Sequence, residues 1–243
     1  MKTQFTALLL MVTAFGSATA TPIFDAFEPL PQATFGGQGI PNDEVAVSRA
    51  IVDGDVTITV AMSATQRFSN PPLTNDGAGT YFATPGTNFG ANNESSTEGS
   101  LWNFNYYMTV EGANGATPIL ADYQFDLFYD FDPGADNTLG SLGSINLTNS
   151  ILASPEPAAT LLEGSQNLLF GFLGSTLPGF ITAPSGSFDP NALGEYTFAI
   201  QVSRAGFGVE TVAMDVQVIP EPTSLALLGL GGLIVIRQRR RRC

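Results

Sequence analysis

Trp102-Asn103-Phe104-Asn105-Tyr106-Tyr107-Met108-Thr109-Val110-Glu111 alternates apolar and polar side chains with period two. Trp102, Phe104, Tyr106, Met108 and Val110 fall on one side; Asn103, Asn105, Tyr107, Thr109 and Glu111 fall on the other. A second segment repeats the pattern, with Tyr123, Phe125, Leu127, Tyr129 and Phe131 set against Gln124, Asp126, Phe128, Asp130 and Asp132. Period-two alternation of this length predicts antiparallel strands with one face on a core and one face wet.

The same signal extends outward from these two segments. Val45–Val52 and Val56–Met62 flank Asp53-Gly54, a dipeptide suited to a two-residue hairpin turn. Gly143–Leu147, Asn167–Leu173, Glu195–Ser203 and Glu210–Ile219 add further strand candidates, and Thr80–Ala83 predicts a short strand within the turn-rich stretch Asn70–Ser100. Leu161–Leu173 is the one stretch that reads equally as a short helix. Thr21–Asp43, rich in Pro, Gly and Gln, reads as an irregular lead-in. About eight strands separated by Gly/Pro turns predict an all-β fold, an antiparallel β-sandwich of jelly-roll or Greek-key type.

Charge and missing residue types narrow the function. Of the nine basic residues, only Arg49, Arg67 and Arg204 lie between Lys2 and the C-terminal arginines. Against them stand all 22 acidic residues, a net −19 for this central part. Such a surface repels nucleic acid and anionic lipid, attracts cations, and keeps a secreted protein dispersed. The chain has no His and its single Cys is Cys243. The usual general base, Ser-His-Asp and Cys-His nucleophile systems and most zinc sites are therefore excluded, as is an internal disulfide.

Both ends read as addresses. Lys2, the apolar stretch Phe5–Phe15 and Ala18-Thr19-Ala20 form a signal-peptide pattern, with cleavage expected after Ala20 by signal peptidase. At the other end, Pro220-Glu221-Pro222 precedes the uncharged run Thr223–Ile236 and then Arg237, Arg239, Arg240, Arg241 and Arg242. The run is shorter than the ~20 residues that span a bilayer upright, and snorkelling arginines and local thinning make up the difference. Arginines hold that flank in the cytoplasm. Pro220 and Pro222 bar a helix from continuing upstream, so Glu221 sits on extended backbone beside the outer membrane face.

This tripeptide, apolar run and arginine cluster, in that order, resemble the PEP-CTERM sorting signal of Gram-negative bacteria. The resemblance covers about a tenth of the chain. It implies an exosortase, an integral membrane cysteine transpeptidase found with exopolysaccharide gene sets, as the partner. By the same resemblance Pro220, Glu221 and Pro222 are the recognition site, Thr223–Ile236 is a transient membrane anchor, and Arg237–Arg242 is the cytoplasmic stop. Cys243, beyond the arginines, departs from the pattern. Three parts follow: a signal peptide over 1–20, a β-sandwich ectodomain over 21–218, and a sorting signal over 219–243 with a membrane-spanning helix. A second tripeptide, Pro155-Glu156-Pro157, lacks both the apolar run and the arginines and reads as a rigid loop.

Within the ectodomain, Asp130-Phe131-Asp132-Pro133-Gly134-Ala135-Asp136-Asn137 gathers oxygen donors around a Pro-Gly turn. Asp130, Asp132, Asp136 and Asn137 suit Ca²⁺, which takes six to eight oxygen ligands, although the spacing is not that of an EF-hand. The plainer reading is an acidic strand end and an Asp/Asn turn. Phe188-Asp189-Pro190-Asn191 has similar turn chemistry with fewer ligands. Tyr107 and Phe128, opposite the expected core faces, are candidate sugar-stacking aromatics unless a neighbouring layer covers them. Carboxylate pairs of glycosidase type could be drawn from so many acids that none stands out. The sequence therefore predicts an exported, non-enzymatic protein of the cell surface or exopolysaccharide matrix. A Ca²⁺-dependent carbohydrate-binding module and a carboxylate-based hydrolase are its alternatives.

Overall fold

In a computed structural model, which describes residues 22–52, 54–68, 72–90, 95–135 and 137–220, the two alternating segments become strands of two facing sheets. In chain order the strands are β1 (Ala26–Glu28), β2 (Val45–Val52), β3 (Val56–Gln66), β4 (Thr74–Asn75), β5 (Thr80–Ala83), β6 (Thr87–Asn88), β7 (Gly99–Ser100), β8 (Trp102–Gly112), β9 (Gln124–Tyr129), β10 (Gly143–Asn146), β11 (Leu161–Gln166), β12 (Ile181–Thr182), β13 (Gly194–Arg204) and β14 (Gly208–Val218). One short helix, α1 (Leu147–Leu152), follows β10. One sheet runs β1-β2-β3-β8-β11, the other β12-β10-β9-β13-β14-β5-β4, and β6 and β7 form a separate ribbon. All pairs are antiparallel except β14 with β5, which run parallel from Asp215↔Thr80 to Val218↔Ala83.

The sandwich closes on aromatic side chains supplied by that alternation. Trp102 of β8 meets Phe198 of β13 edge to face with ring centroids 6.0 Å apart, and Phe104 stacks on the same Phe198 at 4.7 Å. Tyr196 and Phe188 complete the ring around Trp102. Each such buried side chain contributes about 1.5–3 kcal/mol of transfer free energy, with a further increment from the aromatic geometry. This cluster is the weld between the sheets.

The structure corrects several expectations. Leu161–Gln166 is strand, hydrogen-bonded to β8 from Leu161↔Thr109 to Gln166↔Phe104, and the residues from Asn167 to Leu173 are turns, neither helix nor strand. The helix lies instead at Leu147–Leu152, where the Asn146 side chain accepts from the Asn149 amide at 2.7 Å and caps the first turn. The β2–β3 hairpin pairs Val52 with Val56, so its loop spans residues 53–55, one longer than a two-residue turn, with Gly54 at φ +67°.

The largest correction concerns the outer face of β8. The lead-in folds back over it: Leu30, Ala33 and Phe35 pack with Val45, Val47, Ala61 and Tyr107 in a second, smaller core. Glu163 of β11 fastens this cover. Its Oε2 accepts from the Thr34 and Phe35 amides, both at 2.8 Å, and its Oε1 accepts from the Thr34 hydroxyl. Further along the same face, Asn105 is fully buried and donates to Ser63 Oγ at 3.0 Å and Thr65 Oγ1 at 3.1 Å. The face expected to be wet is therefore largely covered.

Candidate functional site

The C-terminal signal leaves the fold from an internal strand. β14 lies between β13 and β5, with Val218 opposite Gly194 on one side and Ala83 on the other. Val218 is 3% exposed, while Ile219 and Pro220 are exposed. The Ile219 amide still donates to the Ala83 carbonyl at 2.9 Å, so backbone pairing persists until the proline removes the donor. Glu221 and Pro222, the run Thr223–Ile236 and Arg237, Arg239, Arg240, Arg241 and Arg242 lie outside the described residues. Among the described residues no helix is long and apolar enough to cross a membrane.

The acidic turn after β9 sits beside this exit. Pro133 O accepts from the Glu195 amide at 3.1 Å, and a Cβ on Gly194 would fall 2.1 Å from the same oxygen, so glycine alone fits that approach. Asp130 is 2% exposed. Its Oδ1 accepts from the Asp132 amide at 2.8 Å, and its Oδ2 accepts from the Asn137 side-chain amide at 2.6 Å. Asn137 also donates to the carbonyls of Gly134 at 2.7 Å and Asp132 at 3.3 Å, and Asp132 Oδ1 accepts from the Gly134 amide at 3.0 Å.

Asp130, Asp132 and Asn137 are thus brought together as a self-capped turn in which Asn137 presents its nitrogen; Asp136 lies outside the described residues. Burial raises the Asp130 carboxyl above its ordinary value, against the opposing hydrogen bonds from Asp132 and Asn137. Burial first, then the charges of Asp189, Asp130 and Asp132, push the nearby Tyr196 phenol up to about 12. Among the described residues, no three Asp, Glu, His or Cys side chains converge as metal ligands. Asp189 makes the expected local turn, its Oδ1 accepting from the Asn191 amide at 2.9 Å.

Tyr107 is not an exposed stacking aromatic: the lead-in leaves it 5% exposed. Phe128 is half-buried on the outer face of the seven-stranded sheet, opposite Ala199 and Ser144. The Pro155-Glu156-Pro157 decoy lies in an exposed loop after α1.

Two concavities went unannounced by any sequence motif. An apolar cleft of about 380 Å³ opens between β11 and β12 beside α1, lined by Ile145, Leu147, Ile151, Leu162, Phe180 and Ile181 among others. A more polar groove of about 530 Å³ lies on the outer face of the five-stranded sheet, lined by segments around residues 37–41, 65–68, 103, 165 and 170. No local pattern could have signalled either, since each is assembled from elements distant in sequence.

Residues 218–242 match the family model of the PEP-CTERM protein-sorting motif. No curated protein and no solved structure matches the chain. The match begins at Val218, the last residue of β14, where the buried strand gives way to exposed chain. That motif supports a route to export and the cell surface. By its C-terminal sorting motif, the chain is a PEP-CTERM protein.

Proposed function

We propose that this chain is a non-enzymatic protein of the cell surface or exopolysaccharide matrix, delivered by two terminal signals. Signal peptidase removes residues 1–20, the sandwich over 21–218 is translocated, and the segment 219–243 arrests in the inner membrane. An exosortase-type transpeptidase then reads Pro220, Glu221 and Pro222. The observation that carries this reading is the seating of the sorting motif on the fold: the matched segment starts on the last buried residue of an internal strand, and its next two residues are exposed. The processing enzyme therefore meets a short, extended, proline-rigid segment beside a folded body.

The missing His and the lone Cys support a passive role for the sandwich. Thr223–Ile236 is the transient anchor, and the arginines supply the stop through their bias toward the cytoplasmic side. Replacing Arg237, Arg239, Arg240, Arg241 and Arg242 with Gln tests this. The expected result is loss of membrane arrest, with at least a fivefold drop in surface-displayed protein by immunoblot of fractionated cells. Normal surface delivery of the variant would refute the stop-signal role.

A further inference from the structure

The 530 Å³ groove opens on the outer face of the five-stranded sheet, at the end where β3 finishes and β8 begins. Thr65 of β3 lies directly opposite Asn103 of β8, and the Asn103 side chain donates to Ser165 Oγ of β11 at 3.1 Å. Asn103 Oδ1 in turn accepts from the Asn167 side chain at 2.7 Å, so the carboxamide is held in place. The lead-in adds exposed Gln38, and Phe68 and Phe170 add aromatic surface. No carboxylate lines the groove.

Phe68 is the telling residue. It is 51% exposed, yet its backbone is held at φ +55°, a left-handed conformation that penalises a bulky side chain and suits glycine. Its ring lies against the Arg67 guanidinium, 4.8 Å from centre to centroid. Arg67 is itself only 4% exposed and is pinned by donation to the carbonyls of Asn88 at 2.6 Å and Thr97 at 3.1 Å and to Ser95 Oγ at 3.1 Å. Gly99 leaves room for it, since a Cβ there would fall 2.2 Å from Arg67 Nη1. The ring is thus held on a strained backbone, supported from the protein side by a fixed cation, and open to solvent.

An immobilised aromatic next to carboxamides and a hydroxyl matches the two-sided chemistry of a sugar ring. The electron-rich ring face receives the C–H bonds, and the amides and hydroxyl exchange hydrogen bonds with the ring's own hydroxyls. The groove volume lies within the ~300–1,000 Å³ common for ligand sites. The groove offers no carboxylate to a cation, its one charged lining residue, Arg67, is buried with its guanidinium already engaged, and the net −19 of the central part repels polyanions, which together favour an uncharged ligand. We propose that the groove binds a neutral polysaccharide, with Phe68 as its stacking platform and Asn103, Ser165 and Gln38 as its polar contacts. The proposal stands on the groove alone and goes beyond the sorting reading, whichever route brings the chain to the surface.

The test uses the full-length chain in mild detergent, run in native gels containing dextran, laminarin or galactomannan, with alginate as the polyanionic comparison. The expected result is saturable retardation by at least one neutral polymer. For Phe68→Gly, affinity falls at least tenfold while the thermal midpoint is unchanged or higher, because glycine relieves the left-handed backbone. Phe68→Trp, which keeps an aromatic face, retains binding within threefold. Binding to none of the neutral polymers, binding to alginate alone, or loss of affinity in both Phe68 variants or in neither would overturn the assignment.

Discussion

Two acids on adjacent parts of the chain show how local environment overrides composition. Asp126 and Asp130 both have carboxyl groups raised above the ordinary value, in each case chiefly by desolvation. For Asp126 the opposing effect is a hydrogen bond from Gln124 Nε2 at 3.0 Å. A raised acid binds its proton more tightly in the folded state. Its contribution to stability is therefore fully present below the unfolded value near 3.8 and is lost as pH rises through the folded value. Asn at position 126 has no such loss. Urea denaturation of Asp126→Asn against the wild type should show the difference in unfolding free energy moving in favour of Asn between pH 3 and pH 7. A constant difference, or one moving the other way, would mean that the carboxylate is not desolvated. The charge pattern of the sequence could not reveal this, because it depends on which acids the sheet partly covers.

At the scale of elements, long alternating segments were legible and short or edge elements were not. β8, β9, β13 and β14 were expected close to their observed bounds because each repeats the period-two signal many times over. Leu161–Leu173 misled because Leu161 and Leu168, and Leu162 and Leu169, recur seven residues apart, as on one face of a helix. Edge pairing of Leu161–Gln166 with β8, a tertiary fact, decides for strand. α1 does carry a signal in the sequence: Asn146, a preferred N-cap residue, stands immediately before Leu147-Thr148-Asn149-Ser150-Ile151-Leu152. That cap is an energetic prediction as well. Asn146→Ala should lower stability by about 1 kcal/mol, and Asn146→Asp should retain most of it, since the acceptor to the Asn149 amide is kept. Chemical denaturation of the two variants decides it, and equal losses would show that the side-chain cap is not what stabilises α1.

At the scale of the whole molecule, the sequence reveals destinations more readily than surfaces. The C-terminal sorting motif is a linear code, complete within a few consecutive residues, and so could be read directly. The packing of the body is not. The lead-in Thr21–Asp43 has no periodicity to betray that Leu30, Ala33 and Phe35 would cover Tyr107, so an aromatic offered for binding became part of a core. The groove at Phe68 draws on segments more than a hundred residues apart, and the positive φ that sets Phe68 apart is invisible in its side-chain type. Pattern announces about eight strands against fourteen among the described residues, because β1, β4, β6, β7 and β12 are two or three residues long and too short to carry a period; neighbour order is not legible at all. The parallel pairing of β14 with β5, which fixes the point from which the sorting segment departs, depends on a crossover that alternation cannot encode.

That departure point makes the central claim measurable. An internal strand ending at Val218, with Ile219 and Pro220 exposed beyond it, supports the proposal of a folded body delivered with its signal still attached and then trimmed beside it. The decisive measurement is the intact mass of the protein recovered from the surface or matrix of the producing cells. The account predicts a species that starts at Thr21 and has lost Arg237–Cys243 together with the apolar run. Recovery of surface protein that retains the C-terminal arginines would contradict it.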